Sequence, residues 1–204
     1  MSEGEVGGHV GTEADARDHG RTEADADAGD HGRTDAVAEG LRRTEDHDAE
    51  HRRHLLRAVE LAREGSDRGD GGPFGAVVVV DGRVVAEAWN EVVATDDPTA
   101  HAEMVAVRRA CAALGSFQLT GAHVYASCEP CPMCLGALYW ARPAQVHFAA
   151  THEDAAAVGF DDSLIYEELG RPAEERRLPL HRLDVPEAAE VMRRWSEGPG
   201  RTTY

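Results

Sequence analysis

The sequence contains no lysine, few aromatic residues and no long apolar run. All 21 basic residues are arginines, and 38 acidic residues give a net charge of −17 at pH 7. A protein that binds nucleic acid through its phosphates needs clustered cations, and these arginines are scattered apart from short pairs. The sequence also lacks an apolar signal region and a membrane-spanning segment. We therefore expect neither a nucleic-acid partner nor a membrane partner.

The first 50 residues lack aromatic residues and have no leucine before position 41. They hold 15 acidic residues against 5 arginines, with near-repeats at 18–26 and 30–36. Such a segment cannot bury enough apolar surface to offset its chain entropy. Residues 1–47 are therefore expected to form a disordered acidic tail that catalysis does not need. Its widely spaced histidines are interpreted as solvated residues rather than as a metal-binding tract.

From residue 48 the composition becomes globular, and the pattern predicts one α/β domain over 48–204. Asp81-Gly82 is a strong hairpin signal between two apolar strands. Thr99 is expected to cap the start of the next helix, and Gly115 is expected to end it. The predicted elements are a helix ending at Gly65, strands 74–80 and 84–89, helix 99–114, strand 122–126, helix 131–141, strand 145–149, short helices 151–158 and 162–169, strand 178–183, and helix 186–196. This alternation indicates parallel pairing in a sheet covered by helices.

Three potential metal ligands and a carboxylate lie at two predicted helix starts. They are His101, Cys131 and Cys134, with Glu103 two residues after the histidine. Two thiolates and one imidazole leave a tetrahedral zinc ion one open position, which is typical of a catalytic site. Water bound there becomes acidic, and a nearby glutamate can take its proton and pass it on. A chain with at least two of its four cysteines committed to metal suits a reducing compartment, so a cytoplasmic location is expected.

Other interpretations of these cysteines are possible. A C-x-x-C pair alone is compatible with a redox site or with half of a structural zinc site. Cys128, Cys131 and Cys134 also begin a cluster-binding pattern, but the position of its fourth cysteine holds Leu138. A purely structural zinc site would need a fourth protein ligand, for which Cys128 is the nearby candidate. We interpret Cys128 instead as a residue that lines the pocket.

The combination H-x-E with P-C-x-x-C is similar to the signature of zinc-dependent base and nucleoside deaminases. The segments FGAVVVVDGRVVAEAWNEVVATDDPTAHAE, SCEPCPMCLGALYWARP, GFDDSLIYEEL and RPAEERRLPL resemble the bacterial guanine deaminases of the cytidine deaminase superfamily, and the resemblance covers residues 51–204. It implies a three-layer α/β/α fold with a mixed central sheet and one Zn²⁺ per subunit. It also implies hydrolysis of guanine to xanthine and ammonia in purine catabolism, and a homodimer that exchanges C-terminal segments.

The same resemblance implies three substrate contacts. It places Asn90 as a hydrogen-bond partner of the base and Asp162 at the amino or N–H edge of the substrate. It also implies that Tyr204, the last residue, closes over the base in the active site of a partner subunit. Without the resemblance, these residues are most simply a strand-end turn, a helix cap and a frayed terminus. A carboxylate does suit guanine, because the amidine edge of guanine presents only hydrogen-bond donors.

Three alternative functions stay open at this point. The nearest is a zinc deaminase acting on guanosine, cytosine, adenine or an aminated triazine, since pocket shape sets the choice of base. The second is a non-catalytic module in which zinc only stabilises the fold. The third is a transfer-RNA adenosine deaminase, which the acidic composition disfavours.

Overall fold

The computed structural model describes the backbone of residues 28–203 and the side chains of residues 47–203. The chain divides into two units, Met1–Glu45 and Asp46–Tyr204. The described elements are α1 (Ala28–Arg68), β1 (Gly75–Val80), β2 (Arg83–Trp89), α2 (Val92–Thr95), α3 (Ala102–Leu114), β3 (His123–Cys128), α4 (Pro132–Ala141), β4 (Gln145–Ala150), α5 (His152–Ala157), α6 (Ser163–Leu169), a 3-10 turn (Ala173–Glu175) and α7 (Pro186–Glu197).

Helix α1 begins much earlier than the sequence predicted. It starts at Ala28, so residues 28–47 are helical in the structure, while residues 1–27 lie outside the described part of the chain. The physical reason is composition, because alanine, glutamate and arginine are good helix formers even where they supply no apolar face. Glycine at position 40 only weakens such a helix and does not end it. The expectation of a disordered, dispensable tail over residues 1–47 stays a prediction.

The central sheet has the strand order β2-β1-β3-β4 and is mixed. Strand β1 pairs antiparallel with β2 and β3, while β3 pairs parallel with β4 across the α4 crossover. Asp81 and Gly82 both have positive φ, at 49° and 73°, as the tight hairpin between β1 and β2 requires. The predicted hairpin, the parallel pair and the buried central strand are therefore confirmed.

Helices cover both faces of the sheet, so the three-layer α/β/α expectation is confirmed. On one face, Val78 and Val124 join a core built with α3 and α4. On the other face, Val77 packs against α1 through Ala58 and Leu61. Helix α1 approaches β1 so closely that a Cβ on Gly75 would lie 2.1 Å from the Ala58 carbonyl oxygen.

Helix α3 begins three residues later than predicted. The Asp97 side chain accepts hydrogen bonds from the backbone N–H and the hydroxyl of Thr99, which closes a turn before the helix. Thr99 is therefore not the cap, and His101 occupies the N-cap position in an extended conformation. At the other end, Gly115 ends the helix in the left-handed region, as predicted.

The strand predicted at 178–183 is wrong. The described chain has no regular structure there, and Leu178 and Leu183 are 77% and 81% exposed. Pro179 cannot donate to a strand ladder, and leucine alternation alone does not supply a partner strand. The terminal helix is present as α7, with Met192 72% exposed. No helix among the described residues combines the length and apolar character needed to cross a bilayer.

Candidate active site

The structure brings the three predicted ligands together at the starts of two helices. His101 caps α3 and Cys131 caps α4, both in extended conformations, while Cys134 lies in the first turn of α4. The Nδ1 atom of His101 is 3.5 Å from the Cys131 Sγ and 3.6 Å from the Cys134 Sγ. Zn–N and Zn–S bonds at tetrahedral angles place such ligand atoms about 3.6 Å apart. All three ligand atoms lie within 4.8 Å of one another, so the donor set fits a zinc ion.

Cys128 does not belong to this group, because its thiol makes a hydrogen bond elsewhere. It is buried, and its thiol donates to the Thr151 carbonyl oxygen at 3.4 Å. Burial raises the pKa of Cys128 to about 11, so it stays a neutral thiol. The potential ligand atoms that lie together at this site are those of His101, Cys131 and Cys134, which would leave a zinc ion one position open for water or substrate.

The charge of the ligand group also suits a cation. The Cys134 thiol, with smaller contributions from His101, lowers the pKa of Cys131 to about 4, so Cys131 is a thiolate at neutral pH. The hydrogen bond to Cys131 raises the pKa of His101. Two helix N-termini meet here, and their partial positive charges favour thiolates and other anions.

Glu103 lies beside the ligands and is 7% exposed. Loss of solvent by burial raises the pKa of Glu103 to about 7, and the negative charge of Cys131 adds to the effect. A carboxyl group with this pKa exchanges a proton readily near neutral pH, which is what a general acid–base residue requires. The structure thus gives Glu103 the environment that its predicted role needs.

A cavity of about 620 Å³ opens beside this group. It holds the predicted residues Asn90, His101, Glu103, Cys131 and Asp162 together. Its other walls come from the loop after α1, from α2 and its flanks, and from the segment after β4; they include Gly71, Gly72, Phe74, Val92, Val93, Pro98, Cys128, Glu129, His152, Ala155, Gly159, Phe160 and Asp161.

Asn90 is buried at the end of β2 with a fixed orientation. Its side-chain oxygen accepts hydrogen bonds from the backbone N–H groups of Gly72 at 3.3 Å and Val92 at 3.2 Å. This leaves the amide nitrogen as the group that can donate to a substrate. A Cβ at Gly71 would lie 2.1 Å from the Asn90 oxygen, so the close approach requires glycine there.

The two adjacent aspartates at the start of α6 make different side-chain contacts. Asp161 accepts hydrogen bonds from the backbone N–H and the hydroxyl of Ser163, which fixes the turn before the helix. Asp162 lines the cavity and makes no cap to α6 through its side chain. Burial raises the pKa of Asp162, and Cys131 adds to this shift. The geometry therefore separates a structural carboxylate from one available to a ligand.

Sequence reasoning missed part of the cavity wall. Phe74 and Phe160 meet edge to face with ring centroids 5.0 Å apart, and they supply apolar surface for a planar ring. His152 contacts Glu129 at 3.1 Å, and this contact raises the pKa of His152. Of these wall residues, only Phe160 could have been found from the sequence, because it directly precedes the aspartate pair Asp161 and Asp162. Tyr204 lies outside the described residues.

A sequence profile of the cytidine and deoxycytidylate deaminase zinc-binding region matches residues 48–150, about half of the chain. The chain belongs to the cytidine and deoxycytidylate deaminase family. Members of this family are zinc-dependent hydrolytic deaminases, and this protein is one of them. The ligand group and the buried glutamate all fall within the matched region.

Within the family, the similarity to guanine deaminases extends well beyond that region. The chain is 52% identical to the guanine deaminase of Bacillus subtilis (strain 168) over 76% of its own length and 99% of that protein. The crystal structure of guanine deaminase from Bacillus subtilis matches with a TM-score of 0.74, over 76% of this chain and 98% of that one. The resemblance predicted from the sequence is therefore confirmed.

More distant deaminases match a shorter part of the chain. The structure of guanine deaminase from Nitrosomonas europaea is 34% identical, with a TM-score of 0.51, over 53% of this chain and 63% of that one. The tRNA-specific adenosine deaminase of Agrobacterium fabrum is 41% identical over 54% of this chain and 72% of that protein.

Proposed function

We propose that this protein hydrolyses guanine to xanthine and ammonia as a step of purine catabolism. The observation that carries the proposal is that one cavity is lined by two members of the ligand group, His101 and Cys131, together with the buried Glu103, Asn90 and Asp162. These groups match a planar base with acceptors on one side and an all-donor amidine edge on the other. The similarity to guanine deaminases over residues on both sides of the zinc-binding region supports the same substrate.

One Zn²⁺ per subunit, held by His101, Cys131 and Cys134, would supply an activated water at the open position of the site. The protein's own residues do the rest. Asp162 accepts from the N1–H or amino edge of guanine, and Asn90 donates from its amide nitrogen to an acceptor of the ring. Water attacks C2, and Glu103 takes one water proton and delivers it to the ring nitrogen N3. Glu103 then takes the proton of the hydroxyl now on C2 and gives it to the amino group, so that the C2–N bond breaks, ammonia leaves and C2 becomes the carbonyl of xanthine.

The proposal is tested by product analysis with guanine, guanosine, adenine and cytosine in parallel. We expect xanthine from guanine and much slower conversion of adenine and cytosine, because neither presents the all-donor edge that Asp162 selects. Guanosine presents the same edge as guanine, so its slower conversion would come from the ribose on N9 and not from Asp162. Asp162→Asn should raise KM for guanine, whereas the matched Asp161→Asn should lower thermal stability and leave KM nearly unchanged. Equal turnover of guanosine or adenine by the wild type, or an unchanged KM in Asp162→Asn, contradicts the assignment.

We further propose a homodimer that exchanges C-terminal segments, with Tyr204 covering the base in the partner's site. Support comes from apolar side chains that the described chain leaves exposed, on α4 and on the segment after α6. These are Tyr139 at 78%, Leu178 at 77%, Leu183 at 81%, Val191 at 66% and Met192 at 72%. Apolar surface on this scale is normally covered by another subunit. A second copy of the chain is the simplest cover.

Subunit mixing distinguishes exchange from a local lid. One parent carries Glu103→Gln with an intact C-terminus, and the other lacks residues 201–204 with an intact Glu103. Both parents should be nearly inactive with normal zinc content. If the terminus acts on the partner, mixed dimers regain activity in the truncated subunit. If it acts on its own subunit, mixing restores nothing, and full activity of the truncated parent removes the lid role altogether.

A further inference from the structure

Three histidines meet on the face of the sheet opposite the proposed active site. His123 and Tyr125 are two residues apart on β3, so both lie on the face of the sheet that α1 covers. His147 is the β4 residue paired with Tyr125, and His51 comes from α1. We name His51, His123 and His147 the histidine cluster. The zinc-binding signature does not include any of its members, and α3 and α4 pack on the other side of the sheet.

The three imidazoles are close enough to share one ion. One ring nitrogen from each lies within 4.8 Å of the others. The His51 and His147 ring centroids are 4.3 Å apart, and each is 5.7 Å and 5.6 Å, respectively, from that of His123. The rings lie within 26° of parallel, so coordination requires rotation about the side-chain torsions. All three residues are only partly buried, which leaves them room to turn.

Two nitrogens of the cluster are buried without a hydrogen-bond partner, Nδ1 of His123 and Nε2 of His147. Buried polar atoms are nearly always paired, so an unpaired buried ring nitrogen needs an explanation, of which a bound water or ion is one. Packing alone does not explain them, because an aliphatic side chain at either position would fill the α1–sheet interface without unpaired nitrogens. Two orphaned imidazole nitrogens beside a third ring therefore point to a ligand.

The hydroxyl of Tyr125 contacts His51, the third member of the cluster. It lies 2.8 Å from Nδ1 of His51, which leaves Nε2 of His51 free for a cation. An outer partner of this kind fixes the orientation of a metal-binding imidazole. The carboxylate of Glu50 lies 3.8 Å from the ring of His54, which contacts Tyr125 at a tilted angle, and the guanidinium of Arg53 lies 3.9 Å from the same carboxylate.

We propose that the histidine cluster is a second cation site, which takes a late first-row divalent ion such as Ni²⁺ or Zn²⁺ through three imidazole nitrogens. Imidazole ligands without carboxylate or thiolate favour this class of ion over Mg²⁺ or Ca²⁺. The site joins α1 to β3 and β4, so an ion there would tie the helix to the sheet. It contributes nothing to the chemistry at Glu103.

The test is titration of the full-length, zinc-loaded protein with Ni²⁺ by calorimetry, with metal content measured afterwards by mass spectrometry. We expect one nickel per chain beside a retained catalytic zinc. His147→Asn should abolish this nickel, and His123→Asn provides a second variant should the first fold poorly. Tyr125→Phe keeps all three ligands and should weaken binding about tenfold, as loss of an outer partner typically does. Deaminase activity of the zinc-loaded variants reports that the fold is intact.

The matched control changes three of the four histidines of the acidic segment, His9, His19 and His31, to asparagine. This control should bind nickel as the wild type does. The proposal is overturned if the control loses the nickel, if His147→Asn and His123→Asn both bind it unchanged, or if nickel enters only by displacing zinc. None of these results bears on guanine turnover, so the deaminase assignment stands or falls separately.

Discussion

Replacing Glu103 by glutamine should abolish turnover and, at the same time, stabilise the metal-free protein at alkaline pH. The glutamine keeps the shape of the side chain but cannot take a proton from water. General acid–base groups typically contribute about 10²- to 10⁴-fold, so kcat should fall by about that factor with zinc content unchanged. A zinc-loaded Glu103→Gln enzyme that retains more than about a tenth of wild-type kcat refutes the role.

The stability effect follows from the pKa. Burial raises the pKa of Glu103 from 4.5 to about 7. Between these values the folded chain holds a proton that the unfolded chain has lost, so stability falls as pH rises. A shift of this size corresponds to about 3 kcal/mol, absent below pH 4.5 and fully developed above pH 7. Glutamine removes this penalty.

Urea unfolding of the chelator-treated wild type and of Glu103→Gln, at pH 4.5 and at pH 8, measures this pH-dependent loss of unfolding free energy. The variant should gain about 3 kcal/mol over the wild type at pH 8 and almost nothing at pH 4.5. Glu60→Gln on the exposed side of α1 is the matched control, since Glu60 is 58% exposed and should show no such difference. An equal advantage of Glu103→Gln at both pH values would show that the carboxyl group is not held protonated.

Three further predictions concern the zinc ligands and the substrate pocket. Gly71→Ala places a methyl group 2.1 Å from the Asn90 side-chain oxygen, so KM for guanine should rise at least about tenfold with zinc content unchanged, as steady-state kinetics will show. Cys134→Ser should lose zinc in metal analysis, whereas Cys128→Ser should keep it, because the Cys128 thiol bonds to a carbonyl instead. Chelation should abolish wild-type activity and Zn²⁺ should restore it; full activity of a metal-free preparation contradicts the zinc assignment.

The ligand group and Glu103 were predictable because their chemistry is local. His101 and Cys131 stand at helix starts, and Glu103 follows the histidine by two residues. This arrangement can be predicted directly from spacing and capping signals. The sheet was predictable for a related reason, since the Asp81-Gly82 turn and the all-apolar Val77–80 run determine a hairpin and a central strand.

Other parts depend on contacts that spacing does not encode. The start of α3 is delayed by a side-chain turn at Asp97, which competes with the cap expected at Thr99. The leucines near 178–183 suggested a strand, but their apolar faces are exposed in the single chain. Asp161 and Asp162 are identical as residue types, and only the position of Ser163 separates their tasks. Contacts between particular pairs of residues, such as these, leave no pattern in the sequence from which they could be predicted.

The cavity draws its walls from both sides of the end of the matched family region. That region ends at residue 150, whereas the similarity to the guanine deaminase of Bacillus subtilis covers 76% of the chain. Phe160 and Asp162 come from beyond that limit, on a short irregular stretch after β4. The zinc ligands and Glu103 thus lie within the matched region, whereas the proposed base contacts lie on both sides of its end, with Asn90 inside and Asp162 beyond. Substitutions at Phe160 or Asp162 are therefore expected to change the preference for a base while leaving the zinc ligands in place.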